Sequence, residues 1–584
     1  MPEQQTDLDR VAQAEARWQE KLVEPRVRRF KLTESPTRFY PPTALNGFDF
    51  MEKVGFPGTY PFTAGNSPFE FWRTQADAQA RSGQRQEMGA TAASRYAGFG
   101  TAEDFRDYFL HIQSLGVTMG PNVAFDLPTQ CGYDSDSPFA AGEVGRVGVA
   151  IDTLSDLQTM FEPFVGKYDI DKVACNFTIN APAAVIMAMY TVMAQRRGVD
   201  FAKLRGTPQN DVLKEFVARG TYIFPVRPSL RLFRDTLVFM RERLPAWNVN
   251  SIGGYHIREA GATREQDLAY SMANGISYLQ EGIDAGLDVN DFAPMFTFAA
   301  MGGSMELYAE VAFMRASRRM WARIVKERFG ATNPKAMTLR TPRAAHIGAY
   351  SMTRQRALNN LSRSVVGGLM GAMSGGSPET YPPYDEALGL GHSIEAVQLQ
   401  IDARRILMHE AKVADVCDPW AGSYFMESLT DQIEADAARE LQKVQDMGGA
   451  PGAIDNGYMH KAVSLSAFDR QKRIESLEDL VVGVNCYVGE HELEVQVHRS
   501  EAPLYDPELI ESAERRQVAR LKEVKRGRDD TAVSSALKNL QVHARRDEVN
   551  LMPDIIECVS HDATVGEICD ALRAVFGEAK PPTL

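Results

Sequence analysis

The sequence predicts an α/β protein, a parallel sheet closed as a (β/α)8 or TIM barrel, with an N-terminal arm and a helical C-terminal region. Three observations carry that prediction. At 584 residues the chain is too long for one ordinary core, so a large domain with attachments is expected. Short apolar runs alternate with amphipathic stretches from about residue 51 to 425, as strands alternate with helices around a parallel sheet, and eight such units make the economical closure. Beyond 425 the chain reads as mostly helical.

Residues 1–50 read as an arm, a short helix over 7–24 followed by "ESPTRFYPPTALNG", which is rich in turn formers. In the barrel domain, 51–425, the candidate strands are 122–128, 172–180, 250–256, 292–300 and 336–342. Between them lie helical stretches such as "DFRDYFLHIQSLG", "NDVLKEFVARGTY", "REQDLAYSMANGISYLQEGIDAG" and "GSMELYAEVAFMRASRRMWARIVKERFG". The region 426–584 contributes "ESLTDQIEADAARELQKVQDMGG", "DPELIESAERRQVARLKEVKRG" and "ATVGEICDALRAVFG". Alternate strand positions are small or polar: Asn176, Thr178 and Asn180; Ser251 and Gly253; Thr297 and Ala299; Thr338 and Arg340. Barrel interiors are ordinarily filled by bulky branched side chains. Either these faces point inward and leave an axial passage, or they face the helix layer; periodicity alone leaves both open.

A net charge of −13 argues against nucleic acid or an anionic membrane as the main partner. The first residues are polar and lack the apolar core of a secretory leader. The longest apolar run, 181–194, is short for a bilayer span. Cysteines 131, 175, 417, 486, 558 and 569 are scattered without a CxxC, so free thiols and a cytoplasmic location are expected, with no cysteine-based zinc site.

Polar residues at strand ends are the candidates for chemistry. "AFDLPTQCGYDSD" ends a strand at Asp126 and sets Asp134 and Asp136 in the loop; the competing role is a turn that caps the next helix. Gln209 precedes a helix and Arg219 lies near its end, where an arginine serves either the helix dipole or, as a planar fork, a carboxylate. Tyr255 and His256 end "GGYH", placing an imidazole at the barrel mouth, in a structural or a catalytic role. Nucleophile triads, HExxH, Walker A and GxGxxG are absent, and "SGGSPETYPP" lacks the Lys-Ser/Thr of a phosphate loop.

Taken in order, "YPFTAG", "YAGFGTAEDF", "AFDLPTQCGYDSD", "GEVGRVGVAID", "QNDVLKEFVARGTYIFP", "GYHIREAGAT", "NGISYLQEGIDAGLDVNDFAP", "DPWAGSYFMESLT" and "VVGVN" resemble the large, substrate-binding subunit of adenosylcobalamin-dependent acyl-CoA mutases, the methylmalonyl-CoA mutase family. The resemblance spans roughly residues 50–580. It implies a barrel threaded by the pantetheine arm of CoA. It also implies radical chemistry: cobalt–carbon homolysis, hydrogen abstraction and a 1,2-shift of the thioester carbonyl. By motif, His256 matches the histidine that hydrogen-bonds the thioester carbonyl, Tyr255 its neighbour on the adenosyl side, and Gln209 a substrate-contacting glutamine. Arg219 matches the arginine that pairs with the substrate's free carboxylate, where relatives acting on monocarboxylic esters carry Gln, so a dicarboxylic acyl-CoA is implied. "DPWAGSYF" is implied to have an architectural role.

The departures are as specific. The cobalamin motif DxHxxG and a Rossmann-like cobalamin domain are missing from this chain, which implies a separate small cobalamin-binding subunit, with a G-protein chaperone for cofactor loading. On the substrate side, Asp126 and Thr63 are implied contacts; the motif at Thr63 reads "TAG" in place of "TRG", and Phe71 stands where a tyrosine meets the substrate carboxylate. The segment around 73–94 is an insertion, Met295 replaces an arginine, and "LRTPRAAHIGAYSMT" departs from the family pattern. Gly367 and Gly368 occupy the adenosyl side, Gly367 where a glutamate meets the ribose. These changes imply a pocket remodelled for a bulkier alkyl- or arylalkyl-substituted malonyl/succinyl-CoA. The alternatives are a CoA-ester-binding paralogue without turnover and a mutase for an isobutyryl- or 2-hydroxyisobutyryl-type ester.

Overall fold

The structure is a computed structural model that describes residues 2–29, 31, 40–45, 47–67, 94–114, 120–341, 347–376, 382–388, 393–413, 415–489 and 507–580. Phe71 and residues 73–93 lie outside them. The fold is a mostly helical α/β arrangement around short parallel strands. Strands β1 (Ser94–Ala97), β2 (Gly120–Ala124), β3 (Ala174–Thr178) and β4 (Arg205–Pro208) pair in sequence order, and β5 (Ile252–Gly253) pairs with β6 (Phe298–Ala300). Backbone bonds carry the run onward: Asn248 N donates to Gly206 O (2.9 Å) and Ser251 N to Gln209 O (2.8 Å), while Phe298 N reaches Arg340 O (2.7 Å). The strands form two small parallel sheets, of four and of two strands, and a closed barrel is not formed among the described residues. A closing strand between the Arg340 segment and β1 is not formed among the described residues.

Several strands differ from the sequence reading. The 250–256 run is a strand only over Ile252–Gly253, because Gly254–Glu259 turns into a helix. A Cβ at Gly254 would lie 2.4 Å from Asp267 Oδ1 and 2.5 Å from Ser271 Oγ, so the missing side chain is what lets this helix press against Arg264–Asp284. The 292–300 run opens helically through Met295, with Pro294 in its first turn, and pairs only from Phe298. Pro334–Met337 is likewise helical. β1 and β4 were not expected.

The small or polar strand positions are not alike: Asn180, Gly253 and Thr297 are buried, while others keep some access. In β3, Cys175 and Phe177 are buried while Asn176 and Thr178 stay partly accessible; Ser251, Ala299 and Thr338 are partly accessible beside buried Ile252, Phe298 and Leu339. The buried side belongs to the helix layer: Phe177 packs on Tyr190 (5.5 Å) and Trp247 (5.7 Å), and Phe298 on Trp321 (5.0 Å). On the opposite face Asn122, Asn176 and Thr207 stand in register across β2–β4, and Asn248 Nδ2 donates to Thr207 Oγ1 (2.7 Å), making a polar band. The apolar 181–194 run becomes the core helix Ala183–Arg196, buried through Ala194; no helix among the described residues is long and apolar enough to cross a membrane.

Helices beyond 425 are tied to the sheet's outer layer. Arg231 donates to Ala544 O (2.6 Å), Arg546 O (2.6 Å) and Val549 O (3.0 Å). Asp134 accepts from Thr564 Oγ1 and Gly566 N, both at 2.7 Å, so the Asp-rich loop anchors the Val565–Phe576 helix. In "DPWAGSYFMESLT", Asp418 and Glu427 both grip the fully buried Arg315 guanidinium of helix Leu307–Arg323. That use of the motif is packing.

Candidate active site

The site begins where β3 and β4 end. Asn180 follows β3, and Gln209 follows β4 with its N–H on Phe177 O (2.7 Å). The chain then turns through Asn210, at φ 42°, into the helical turn Val212–Lys214 and the π-helical turn Glu215–Arg219, which Gly220 ends at φ 88°. Single π turns recur at functional sites because they re-aim one side chain.

Beneath Arg219 lies a buried ionic hub. Lys214 and Glu215 are both fully buried and in direct contact. Glu215 also accepts from Asn180 Nδ2 (2.7 Å), Thr221 N (3.1 Å) and Thr221 Oγ1 (2.6 Å). Lys214 Nζ also donates to Gln209 Oε1 (3.1 Å). Burial alone would raise the Glu215 carboxyl, yet the Lys214 and Arg219 charges outweigh it and hold the group below its ordinary range; burial lowers Lys214. Arg219 Nη1 comes within 3.7 Å of Glu215 Oε1, is buried, and has no hydrogen-bond partner.

β5 brings the second half. Gly253 N donates to Asp211 Oδ2 (2.7 Å), and Asp211 Oδ1 accepts from Tyr278 OH (2.7 Å), so a buried carboxylate fixes the strand end. A Cβ at Gly253 would meet Lys214 Cε at 3.4 Å and His256 Nδ1 at 3.6 Å, which puts imidazole and lysine stem around one point. His256 lies deep among protein atoms yet keeps a partly accessible face, as expected of a cavity wall. Burial first, then the Lys214 and Arg219 charges, drive its imidazole well below the usual value, so it is neutral at pH 7; its Nδ1 has no partner. The Tyr255 ring lies 4.0 Å from the His256 ring, tilted by 43°.

Gln209 and Arg219 are therefore joined through the Lys214–Glu215 hub, and His256, with the Tyr255 ring against it, stands close enough to Lys214 and Arg219 to feel both charges. Asp126, Thr63, Gly367 and Gly368 have local packing and capping partners, and Phe71 lies outside the described residues. Asp126 is fully buried and spends Oδ1 on Thr129 N (2.9 Å) and Oδ2 on Gly145 N (2.8 Å); burial raises it to about 6. That is the helix-capping role. Thr63 is fully buried with its hydroxyl on Lys53 O (2.8 Å). Gly367 and Gly368 are buried in helix Asn359–Met373, and a Cβ at Gly367 would lie 3.2 Å from Ile347 N, so its space is taken by protein rather than left open. Met295 is a core residue. Asp211, Lys214, Glu215 and Tyr278 were not singled out from the sequence, and Asn180 was noted only as a polar strand position; "NDVLKE" reads as an ordinary amphipathic turn, and only the Asn-Asp pair directly after Gln209 hints at more. No group of His, Cys, Asp and Glu among the described residues could hold a metal.

The methylmalonyl-CoA mutase family model matches residues 34–578. The 2-hydroxyisobutanoyl-CoA mutase large subunit of Aquincola tertiaricarbonis is 36% identical over 530 residues, 90% of this chain and 88% of that one. Methylmalonyl-CoA mutase of Escherichia coli K12 is 37% identical over 489 residues, 84% of this chain but 66% of its own length. The methylmalonyl-CoA mutase large subunit of Streptomyces virginiae is 35% identical over 543 residues, 91% of this chain and 69% of that one. All three are named as CoA mutases, which are isomerases. On a match that covers most of its length, the chain belongs to the methylmalonyl-CoA mutase family.

Proposed function

We propose that this chain is the large subunit of an adenosylcobalamin-dependent mutase that interconverts malonyl-type and succinyl-type dicarboxylic acyl-CoA esters. The observation that carries the reading is the Arg219 guanidinium, held from behind by Glu215 and still partly accessible, close enough to a neutral His256 for its charge to help keep that imidazole unprotonated. Glu215 leaves the accessible edge of that guanidinium unspent, and a substrate carboxylate can take a charge-assisted hydrogen bond there. The neutral imidazole offers a hydrogen bond to the thioester carbonyl without placing a second full charge beside Arg219. Gln209 completes the polar wall, and Tyr255 covers His256 on the cofactor side. The accessible polar band of Asn122, Asn176 and Thr207 supports a closed barrel over 51–425 with pantetheine along its axis, between an arm over 1–50 and a helical region over 426–584. Adenosylcobalamin, when bound, supplies the radical chemistry of the 1,2-shift; this chain binds, orients and shields the acyl group. A small subunit brings the cofactor, a G-protein chaperone loads it, and the assembly works in the cytoplasm.

A second reading, a monocarboxylic mutase, is favoured by the 88% coverage of the 2-hydroxyisobutanoyl-CoA relative. One experiment separates them. The chain is mixed with a small subunit, adenosylcobalamin and methylmalonyl-, bulkier alkylmalonyl- or 2-hydroxyisobutanoyl-CoA, and isomerised product and a cob(II)alamin signal are followed. Turnover of a dicarboxylic ester is expected; turnover of the monocarboxylic ester alone establishes the second reading. Binding without product or radical signal from any ester establishes a non-catalytic CoA-ester binder.

A further inference from the structure

Asn180 is the fixed point of the hub. Its Oδ1 accepts the backbone N–H of Asp211 (3.0 Å), which forces its Nδ2 to be the end that donates to Glu215 Oε1 (2.7 Å) and Gln209 Oε1 (2.9 Å). Lys214 Nζ, which has donors only, faces the same Gln209 oxygen at 3.1 Å. Two donors on one atom leave the Gln209 amide a single orientation. The opposite flip would set its NH2 against an ammonium and an amide NH2. Its Nε2 therefore points away from the hub, and it has no acceptor among the described residues. Glu215, held by the same Lys214 and Asn180, lies 3.7 Å from Arg219 Nη1 and steadies the guanidinium from behind.

We infer that Lys214, with Asn180, is a positioning residue that locks Gln209 as a hydrogen-bond donor, so that Gln209 Nε2 and the accessible edge of the Arg219 guanidinium form a receptor for the free carboxylate of the acyl group. This rests on the dicarboxylic reading above and deepens it, since two donors turned outward fit an acceptor-only carboxylate better than an alkyl group, which leaves them unpaired. Lys214 does not touch substrate; it acts through Gln209 and Glu215.

The test is isothermal titration of the full chain with succinyl-CoA and butyryl-CoA, which differ by a carboxylate against a methyl group. The parent is expected to prefer succinyl-CoA. Lys214→Met is expected to cut that preference by about tenfold while butyryl-CoA affinity changes less than about twofold. Gln209→Glu keeps an oxygen for Lys214 and Asn180 but turns a second oxygen toward the carboxylate, and is expected to lose about tenfold or more in succinyl-CoA affinity alone. If both affinities fall together and the ratio holds, Lys214 is only structural and the inference is overturned. Should Lys214→Met fail to fold, Gln209→Glu decides: an unchanged ratio overturns the inference. A parent with no preference overturns the dicarboxylic reading and this inference with it, whereas a preference that survives both variants overturns the inference alone.

Discussion

Arg219→Gln isolates the charge on which substrate selection turns. The guanidinium stands 3.7 Å from Glu215 Oε1, where unit charges attract by about 4 kcal/mol at an effective dielectric near 20. That figure is not the stability at risk. Lys214 is closer to the same oxygen, and 26% of the Arg219 side chain is accessible, so screening and desolvation offset most of it. Removing Arg219 should therefore cost about 1 kcal/mol of stability, a Tm shift of about 1 °C for a chain of 584 residues. Binding is different. A charge-assisted bond to a carboxylate contributes about 1.5–3 kcal/mol, and leaving the anion buried without its partner pushes the loss toward the upper end. At about 1.4 kcal/mol per decade, dicarboxylic acyl-CoA affinity should fall by about 30- to 150-fold. A monocarboxylic ester of equal length should bind as before, or better. Titration of both esters, paired with calorimetry, separates binding from folding. Equal losses for both esters, or an unchanged dicarboxylic affinity with a large Tm drop, would refute the reasoning.

Asp418→Ala should cost about 3–5 kcal/mol, because it strips one of the two carboxylates gripping the fully buried Arg315; calorimetry that finds an unchanged Tm contradicts the packing role of "DPWAGSYF". Gly367→Glu, which restores the family's residue, should destabilise by about 1–3 kcal/mol, since even its Cβ would sit 3.2 Å from Ile347 N; a wild-type Tm would mean the space is free. Asp267 is fully buried, accepts from Gly302 N (2.8 Å), and is raised by burial to about 7. Between its ordinary value near 4 and that value, the folded state holds a proton that the unfolded chain has released, so the parent loses stability as pH rises through this window and levels off above pH 7. Asp267→Asn has no such proton to lose. Its Tm relative to the parent should climb from pH 4.5 to 7 and then stay flat, and a relative Tm that falls over that range contradicts the assignment.

The long helices were legible because their apolar spacing is unbroken: Arg264–Asp284 and Tyr424–Asp446 lie within a few residues of the expected bounds. Strands were less so. β4 reads "RGTP", whose Gly and Pro argue against a strand, and it persists because β3 and the Asn248 segment flank it. The end of "GGYH" turned helical because Gly254 meets Asp267 and Ser271, residues that strand periodicity cannot see. Within the site, Gln209, Arg219, Tyr255 and His256 were found through motif resemblance, which preserves residue identity. Lys214 and Glu215 escaped notice because adjacent opposite charges on a short helix usually mark a solvated face. Their burial depends on Asn180 and Thr221, contributed by other parts of the chain. Gly367 raised the opposite problem: the missing side chain suggested an enlarged pocket, while the structure gives that volume to Ile347.

The most direct measurement is a structure of the chain with a non-hydrolysable dicarboxylic acyl-CoA bound. The account predicts pantetheine running past Asn122, Asn176 and Thr207, the thioester oxygen at His256, and the free carboxylate at about 2.9 Å from the Arg219 guanidinium and Gln209 Nε2. A ligand lying outside the sheet, or a carboxylate directed away from Arg219, would contradict it.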